Sequence, residues 1–263
     1  MSIWQAVILG AIQGFAEFLP VSSSGHLILV QRWLGVSADG GLFFDIMLHV
    51  GTLVPVCIVL FKEIIGIFRK PFDKLLFLII ATIPAAITGI LLQDKIEGYF
   101  MAGDTLAAVL LAITFCLTAA ELFISERLVK RQKKELPLSY KSSAVMGLFQ
   151  AVAIVPGLSR SGTVLTGGTV SELKREENAK FTFLMSIPII LGAAIVSSYK
   201  AVKGGVAIDI VPVLFGMVTA AVTGYIAVKF MLAVIKKANY KWFSLYLIII
   251  AVSSVVTKVF FGV

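Results

Sequence analysis

The sequence has little charge for its length. Asp, Glu, Lys and Arg make up 14% of its 263 residues, against about 25% in soluble domains. Hydrophobic residues make up 59%, and the mean hydropathy is +0.98. This balance excludes an ordinary soluble fold. The length instead fits a single bundle of membrane helices.

Cysteine and N-terminal basic residues are also scarce. Cys57 and Cys116 lie in apolar segments without metal-type spacing, so we expect two small buried side chains. No Lys or Arg precedes Arg32, so a cleavable signal peptide is not expected. The net charge of +8 would suit a nucleic-acid partner. Its distribution argues instead for orientation in a bilayer, and we expect no nucleic acid.

Apolar segments of membrane-spanning length recur along the chain. Each is close to the roughly 20 residues that cross a hydrocarbon core. The six segments are 43–61, 75–92, 105–124, 180–199, 210–232 and 242–260. The sequence therefore predicts an all-α integral membrane protein with six full transmembrane helices.

Two further apolar regions, 2–34 and 143–170, are broken midway by Pro, Gly and Ser. Each half is too short to span a bilayer. Broken backbone at that depth is tolerated only where protein buries it or where it lines a wet cavity. We therefore predict two re-entrant helix-loop-helix hairpins.

Basic residues are distributed unequally between the connecting loops. The loops near 62–74, 125–141, 171–180 and 233–241 hold 16 of the 23 Lys and Arg residues, and the opposite side holds five. The positive-inside rule places the first set in the cytoplasm. Both termini are then expected to face outward.

The two broken regions carry matching polar segments. Residues 13–26 read QGFAEFLPVSSSGH and residues 150–163 read QAVAIVPGLSRSGT. Residues 79–89 and 183–192 also match, so we predict repeat 1 at about 1–104 and repeat 2 at about 140–235 of a single membrane domain. The first hairpin starts outside and the second in the cytoplasm. This is an inverted-topology repeat, as in secondary transporters, and the hairpin tips can meet near mid-membrane.

Ionisable residues at membrane depth are costly and are candidate site residues. Arg160 offers a planar fork for phosphate oxygens, and His26 can act as acid, base or nucleophile. Glu17 can bind a divalent ion or orient His26. Hydroxyl groups and backbone N–H groups at the helix starts complete a predicted phosphate site: Ser22, Ser23, Ser24, Gly25, Ser159, Ser161, Gly162 and Thr163.

Each of these residues also has a structural interpretation, as a packing residue, a kink or a buried histidine. Their coincidence in two matching segments favours a site. Asp45 and His49, four residues apart on one helix face, could line its entrance, help to hold a cation, or simply pack. Glu121 is expected to be structural.

The motifs resemble the bacitracin-resistance family of undecaprenyl-diphosphate phosphatases. ILGAIQGFAEFLPVSSSGHL at 8–27 and VPGLSRSGT at 155–163 are the strongest evidence. FDIMLHVGT at 44–52, Ile83-Pro84 and Asp94-Lys95-Ile96 add weaker support. The resemblance covers essentially the whole chain.

The resemblance implies an enzyme of the bacterial cell membrane that removes the terminal phosphate of a C55 polyprenyl diphosphate. It thereby recycles the lipid carrier for peptidoglycan and confers bacitracin resistance. It also implies a divalent metal ion, Mg²⁺ or Ca²⁺. The polyprenyl diphosphate lipid and the bilayer are then partners of the chain, and a homodimer is left open.

The resemblance also assigns roles to single residues. The serine and histidine of the family motif fall on Ser23 and His26. Three residues apart on the short helix after the break, they can share a face, so we expect Ser23 to be the nucleophile and His26 its acid/base partner, with His26 as the rival nucleophile. The metal-binding E/Q-x-x-x-E element falls on Gln13 and Glu17, where Gln13 replaces a common Glu. Val164 stands where the family usually has Thr, so Thr163 or Thr166 would have to substitute.

Two other functions remain open from the sequence. An inverted repeat would equally permit transport or flipping of a phosphorylated lipid. The acid-phosphatase superfamily also uses an SGH triplet, but it needs a histidine after the Ser-Arg pair. Here no histidine follows Ser159-Arg160, since His26 and His49 are the only two.

Overall fold

A computed structural model of the chain describes residues 1–36, 41–204, 209–237 and 240–262. Within these ranges the chain folds into eleven helices. They are α1 (Ile3–Phe18), α2 (Ser23–Trp33), α3 (Gly41–Val59), α4 (Phe61–Ile67), α5 (Asp73–Met101), α6 (Thr105–Arg131), α7 (Tyr140–Val152), α8 (Arg160–Val170), α9 (Arg175–Lys203), α10 (Ile210–Lys237) and α11 (Lys241–Phe261).

Five of these helices, α5, α6, α9, α10 and α11, are long and apolar enough to cross a membrane. Helices α3 and α4 add a sixth span if this pair, bent by 88°, counts as one. The predicted spans fall on these helices, which confirms an all-helical, multi-pass membrane protein. The bend follows Val59, so the segment predicted at 43–61 is mostly α3.

The two broken regions each form two short helices that pack on each other, α1 with α2 and α7 with α8. Ser22 has a φ of 67° at the first break, and Gly157 has a φ of 90° at the second. The side chain of Ser22 caps α2 by accepting from the Gly25 N–H, and Ser159 caps α8 by accepting from the Gly162 N–H. The sequence therefore encodes each break as a turn followed by a capped helix start.

The loops rich in basic residues lie together at one end of the helix bundle. Their contacts are Lys180 with Glu63 (2.9 Å), the Leu136 N–H with the Glu172 carbonyl (2.8 Å) and the Lys241 N–H with Glu126 (2.9 Å). Lys236 and Lys237 of the predicted loop 233–241 have side chains outside the described part of the chain. Direct contacts thus join the loops that the sequence predicts on one side of the membrane.

The far ends of α5 and α9 meet at the other end of the bundle. There Lys200 of α9 contacts Asp94 of α5 at 2.7 Å. The start of α1 lies beside the end of α2 at this same end. The contacts are Gln5 Nε2 with the Leu34 carbonyl (3.1 Å) and Arg32 with the Phe100 carbonyl (2.5 Å).

Helix α1 packs most closely on α10, and glycines make this possible. A Cβ atom added to Gly10 would lie 2.3 Å from the carbonyl oxygen of Gly216, and one added to Gly14 would lie 2.5 Å from that of Ala220. Without side chains between them, the two backbones approach directly, as in many membrane helix pairs. This contact fixes the position of α1 against α10, and α1 carries Glu17 near its C-terminal end.

The prediction that both cysteines are buried is wrong. Cys57 on α3 and Cys116 on α6 are free thiols exposed on the surface of the bundle. The physical reason is that apolar side chains of a membrane helix can face lipid as well as neighbouring helices. Low polarity therefore does not imply burial against protein.

Candidate active site

Glu17 lies at the centre of a polar cluster near the end of α1. Its side chain is only 2% exposed. Gln13 Nε2, one helical turn earlier, and Ser23 Oγ donate to Glu17 Oε2 at 2.8 Å and 2.7 Å. Arg160 forms an ion pair with Glu17 Oε1. The buried carboxylate thus has partners from α1, α2 and α8.

The Glu17–Arg160 pair joins the two broken regions. Arg160 is the first residue of α8, and 143 positions separate it from Glu17. Beside the pair, Ser161 Oγ donates to the Leu19 carbonyl at 3.0 Å. A Cβ atom at Gly162 would lie 3.2 Å from Pro20. The structure therefore brings the two polar motifs into direct contact.

His49 of α3 also faces Glu17. Its Nδ1 lies 2.7 Å from the Asp45 carbonyl, which can only accept, so Nδ1 carries a proton. Its Nε2 lies 3.4 Å from Glu17 Oε2. Of the alternatives left open by the sequence, His49 is thus a member of the cluster and not a histidine packed elsewhere.

A cavity of about 200 Å³ lies beside this cluster. Its polar lining comes from both motifs and from α3 and α5: Glu17, Ser23, Ser24, Arg160, Asp45, His49, Gln93 and Glu97. Apolar residues of α2 and α9 form one part of the wall: Leu27, Ile28, Ile189, Ile190 and Ala193. Ile46 of α3, Met101 of α5 and the segment before α8, with Ala153, Ile154, Pro156 and Leu158, form the rest. A polar head and the start of an apolar chain could be accommodated together in such a space.

A larger cavity of about 370 Å³ lies at the basic end, between α4, α5 and α9. It contains none of the predicted site residues. Lys180 in its wall is paired with both Glu63 and Glu176. We therefore assign the candidate site to the smaller cavity, where the chemically distinctive residues meet.

Most of the predicted phosphate-binding hydroxyls make internal contacts. Ser22 and Ser159 cap helices, and Ser161 donates to the Leu19 carbonyl. Thr163 Oγ1 donates to Glu121 at 2.9 Å, and Thr166 donates to its own helix backbone. Gly25 packs against Phe115 and Gly157. Of the residues of the predicted phosphate site, Ser23, Ser24 and Arg160 line the cavity, and the roles of the others stay predictions.

His26 is not hydrogen-bonded to Ser23. Its Nδ1 lies 2.8 Å from the Ser22 carbonyl, and its Nε2 lies 2.7 Å from the Tyr246 hydroxyl of α11. The hydroxyl of Ser23 is directed at Glu17 instead. The pair expected from their three-residue spacing is therefore not formed, while participation of His26 in the reaction stays a prediction.

The donors near Glu17 suit a metal ion only if the substrate supplies further ligands. Within the described ranges, no group of three or more His, Cys, Asp or Glu side chains is arranged to hold a metal. Gln13 is fully buried, however, and its Oε1 has no hydrogen-bond partner. Glu17 and Gln13 offer two protein oxygens, and Mg²⁺ commonly binds through one or two carboxylates plus phosphate oxygens.

Comparison with known proteins identifies the family of the chain. The family model of the bacitracin resistance protein BacA matches residues 6–253. The chain belongs to the BacA family. An undecaprenyl-diphosphatase of Carboxydothermus hydrogenoformans is 41% identical over 98% of both chains. One of Thermodesulfovibrio yellowstonii is 38% identical over 92% of this chain and 94% of its own. Undecaprenyl-diphosphatase 4 of Bacillus thuringiensis is 40% identical over 94% and 93%.

In this BacA-family chain, sequence reasoning missed three polar residues: Tyr246, which contacts His26, and Gln93 and Glu97, which line the cavity. Tyr246 lies in an apolar span with no polar motif around it. Glu97 and Gln93 lie just beyond the segment predicted at 75–92, and Gln93 Nε2 donates to Glu97 Oε1 at 2.9 Å. Their spacing of four residues places them on one helix face. That spacing, at the end of a span, was the only available signal.

Arg160→Lys should lower turnover more than tenfold, which corresponds to about 1.4 kcal/mol of transition-state stabilisation. Lysine keeps the charge but loses the fork that can hold Glu17 and a phosphate oxygen at once. The measurement is phosphate release from farnesyl diphosphate by purified protein. Arg127→Lys, on the exposed side of α6, is the matched control and should be unaffected. Activity of Arg160→Lys within twofold of the parent would instead indicate a structural role.

Proposed function

We propose that this chain is an undecaprenyl-diphosphatase of the bacterial cell membrane. It hydrolyses undecaprenyl diphosphate to undecaprenyl phosphate and phosphate, which recycles the lipid carrier for cell-wall synthesis and confers bacitracin resistance. The principal observation is the convergence of Ser23, Glu17 and Arg160 on one cavity. It occurs in a chain whose relatives over nearly its full length carry that enzyme's name.

In the proposed mechanism Ser23 Oγ attacks the terminal phosphorus. Its proton passes to Glu17 Oε2, the atom that it contacts at 2.7 Å. The bond between phosphorus and the bridging oxygen breaks, and undecaprenyl phosphate leaves with that electron pair. Water then attacks the phosphorus of the phosphoserine, the bond from phosphorus to Ser23 Oγ breaks, and Glu17 returns its proton to that oxygen, which releases phosphate and restores both Ser23 and the Glu17 carboxylate. This sequence of steps needs no direct contact between Ser23 and His26.

Arg160 has two roles in this mechanism. It holds Glu17, and its remaining N–H groups at the cavity wall can bind phosphate oxygens as charge develops on them. The capped N-termini of α2 and α8 both begin at cavity residues, Ser23 and Arg160. Free N–H groups and the positive end of the helix dipole at these positions favour an anion.

The two broken regions are further proposed to be re-entrant hairpins in an inverted repeat. This proposal is supported by where their ends lie. The start of α1 contacts the end of α2 at the end of the bundle away from the basic loops. The residues before α7 and after α8 meet among the basic loops, where Leu136 pairs with Glu172 and Leu173. Each region would thus enter and leave on one side, and the two sides are opposite.

Transport or flipping of the same lipid is the alternative, because an inverted repeat permits it. The contact between Ser23 and Glu17 favours hydrolysis, since a site that only binds an anion has no need of a hydroxyl poised on a carboxylate. A homodimer remains a prediction from the sequence. None of the described contacts bears on it.

Ser23→Ala should remove most turnover of undecaprenyl diphosphate in detergent while leaving a folded, membrane-inserted protein. The reason is that the attacking oxygen is absent. Ser24→Ala, which changes the next residue of the same cavity wall, is the matched control and should retain more than about a tenth of parent activity, since one neutral hydrogen bond contributes about 1 kcal/mol. Near-normal turnover by Ser23→Ala would exclude this serine as nucleophile. A trapped phosphohistidine would support His26.

We also propose that a divalent ion, Mg²⁺ or Ca²⁺, is held by Glu17 and the orphan Oε1 of Gln13 together with the substrate. The ion would supply charge neutralisation for the diphosphate. The substrate brings at least two negative charges to a cavity that already contains Glu17, Asp45 and Glu97. Arg160 alone leaves several of these charges uncompensated in a low-dielectric setting.

Gln13→Glu should lower the concentration of Mg²⁺ or Ca²⁺ needed for half-maximal activity. A second carboxylate binds a hard cation more strongly than an amide oxygen does. The measurement is a metal titration of phosphate release after EDTA treatment, with Gln150→Glu as the matched change at the equivalent position of the second motif. Full activity of both the parent and Gln13→Glu in excess EDTA would contradict the metal proposal.

The chain is proposed to have its basic end in the cytoplasm, both termini outside, and the site open to the outer face and sideways to lipid. The clustering of basic loops supports this orientation under the positive-inside rule. An outward opening would suit a carrier released by polymer synthesis. The apolar wall formed by α2 and α9 would let the prenyl tail stay in hydrocarbon.

Ser24→Cys in a background without Cys57 and Cys116 should react with a membrane-impermeant thiol reagent added outside intact cells. Substrate should protect it, because Ser24 lines the cavity. Lys134→Cys, in an exposed loop at the basic end, is the control that should react only after the membrane is opened. The reverse pattern would overturn the proposed orientation.

A further inference from the structure

His26 is held by a residue that lies outside both repeats. Tyr246 of α11 places its hydroxyl 2.7 Å from His26 Nε2. The two rings stack, with centroids 5.5 Å apart and planes inclined by 8°. The ring of Phe115 of α6 packs edge to face on the same imidazole, with the ring centroids 5.4 Å apart. The imidazole is thus fixed by α6 and α11 as well as by its own helix.

The hydrogen bonds define which nitrogen of His26 carries the proton. The Ser22 carbonyl, 2.8 Å from Nδ1, can only accept, so Nδ1 donates. In the neutral ring Nε2 is then an acceptor, and the Tyr246 hydroxyl donates to it. Both nitrogens are therefore engaged, and Nε2, the one that could attack phosphorus or take a proton, faces Tyr246.

The carbonyl held by His26 belongs to a strained residue. Ser22 has a φ of 67°, a conformation that favours glycine. Its carbonyl accepts from both the ring and the backbone N–H of His26, the latter at 3.2 Å. Such a conformation persists only where its surroundings over-determine it. Ser23, whose hydroxyl must reach Glu17, is the next residue in the chain.

We propose that Tyr246 is a positioning residue for the phosphatase reaction. It fixes the His26 ring with the proton on Nδ1, the ring holds the Ser22 carbonyl, and the turn at Ser22 directs Ser23 at Glu17. His26 is accordingly a link in this chain of contacts and neither nucleophile nor base. This inference rests on the proposed function, in which Ser23 attacks the substrate.

A double-mutant cycle tests the linkage. Tyr246→Phe keeps the ring and removes the hydroxyl, so it should lower kcat on farnesyl diphosphate about threefold to tenfold, the size expected for one hydrogen bond, with KM within twofold. His26→Asn can still donate from its amide to the Ser22 carbonyl and should keep more than about a tenth of parent kcat. Tyr246→Phe should then cost less than twofold in the His26→Asn background, because its effect passes through His26.

The outcomes separate a positioning role from a merely structural one. Equal losses from Tyr246→Phe in the two backgrounds, or no loss in the parent, would overturn the proposal. So would a loss of more than about a hundredfold in folded His26→Asn, since that is the size of a missing acid or base. Tyr199→Phe, an exposed tyrosine near the end of α9, is the matched control and should leave kcat unchanged.

A second measurement does not depend on activity. The chain has only two histidines, so nitrogen-15 NMR of histidine-labelled protein in detergent reports both rings, and His26→Asn identifies the His26 signals. We expect the Nδ1–H tautomer at His26 and a shift of its Nε2 signal in Tyr246→Phe, with His49 unchanged. The opposite tautomer, or an unmoved Nε2 signal, would contradict the proposal. An inactive parent with the expected NMR spectrum would instead refute the proposed function alone.

Discussion

The ion pair between the buried carboxylate of Glu17 and Arg160, whose side chain is 21% exposed, is the interaction on which the arrangement of this site depends. Either charge would be costly without its partner in apolar surroundings. Two breaks in separate halves of the chain must therefore meet for either charge to be tolerated. The polar motifs are costly separately and become compatible with the bilayer only together.

Helix α6 provides the support that keeps the second break in place. Thr118 Oγ1 donates to the Gly157 carbonyl at 3.1 Å and accepts from the Ser159 N–H at 3.2 Å. A Cβ atom at Gly157 would lie 1.8 Å from Thr114 Oγ1, so only glycine allows this approach. The turn before Arg160 is thus bound by side chains of a helix that carries no motif itself. Glu121 on the same helix accepts from Thr163 at 2.9 Å, and its structural role stays a prediction.

Much of the architecture was predictable because it follows from the lengths of apolar segments. The spans, the two breaks, and the membership of Glu17, Ser23 and Arg160 in one cluster could be inferred from polar residues where polarity is costly. The contacts of His26 could not be inferred from the sequence. They depend on how α11 is rotated about its axis, and a helix that is apolar on every side gives no periodic signal of its rotation. The exposure of Cys57 and Cys116 escaped prediction for the same reason.

The place of His49 in the site was only partly predictable from the sequence. Its position in an apolar span marked it as unusual, but its partner lies on α1, and no pattern links the two segments. Helix α10 packs against both α1 and α3 and brings them into register through the glycine contacts at Gly10 and Gly51. Close backbone contacts with α10, a helix that carries none of the motifs, thereby decide which polar residues meet.

The size of the cavity has a consequence for what the protein can distinguish. A space of about 200 Å³ is far too small for a tail of 55 carbons. Nearly all of that tail must lie among the lipids, where one isoprene unit resembles the next. Discrimination between substrates then falls on the diphosphate and the first few carbons, so lipids that differ only in tail length present this protein with the same surface.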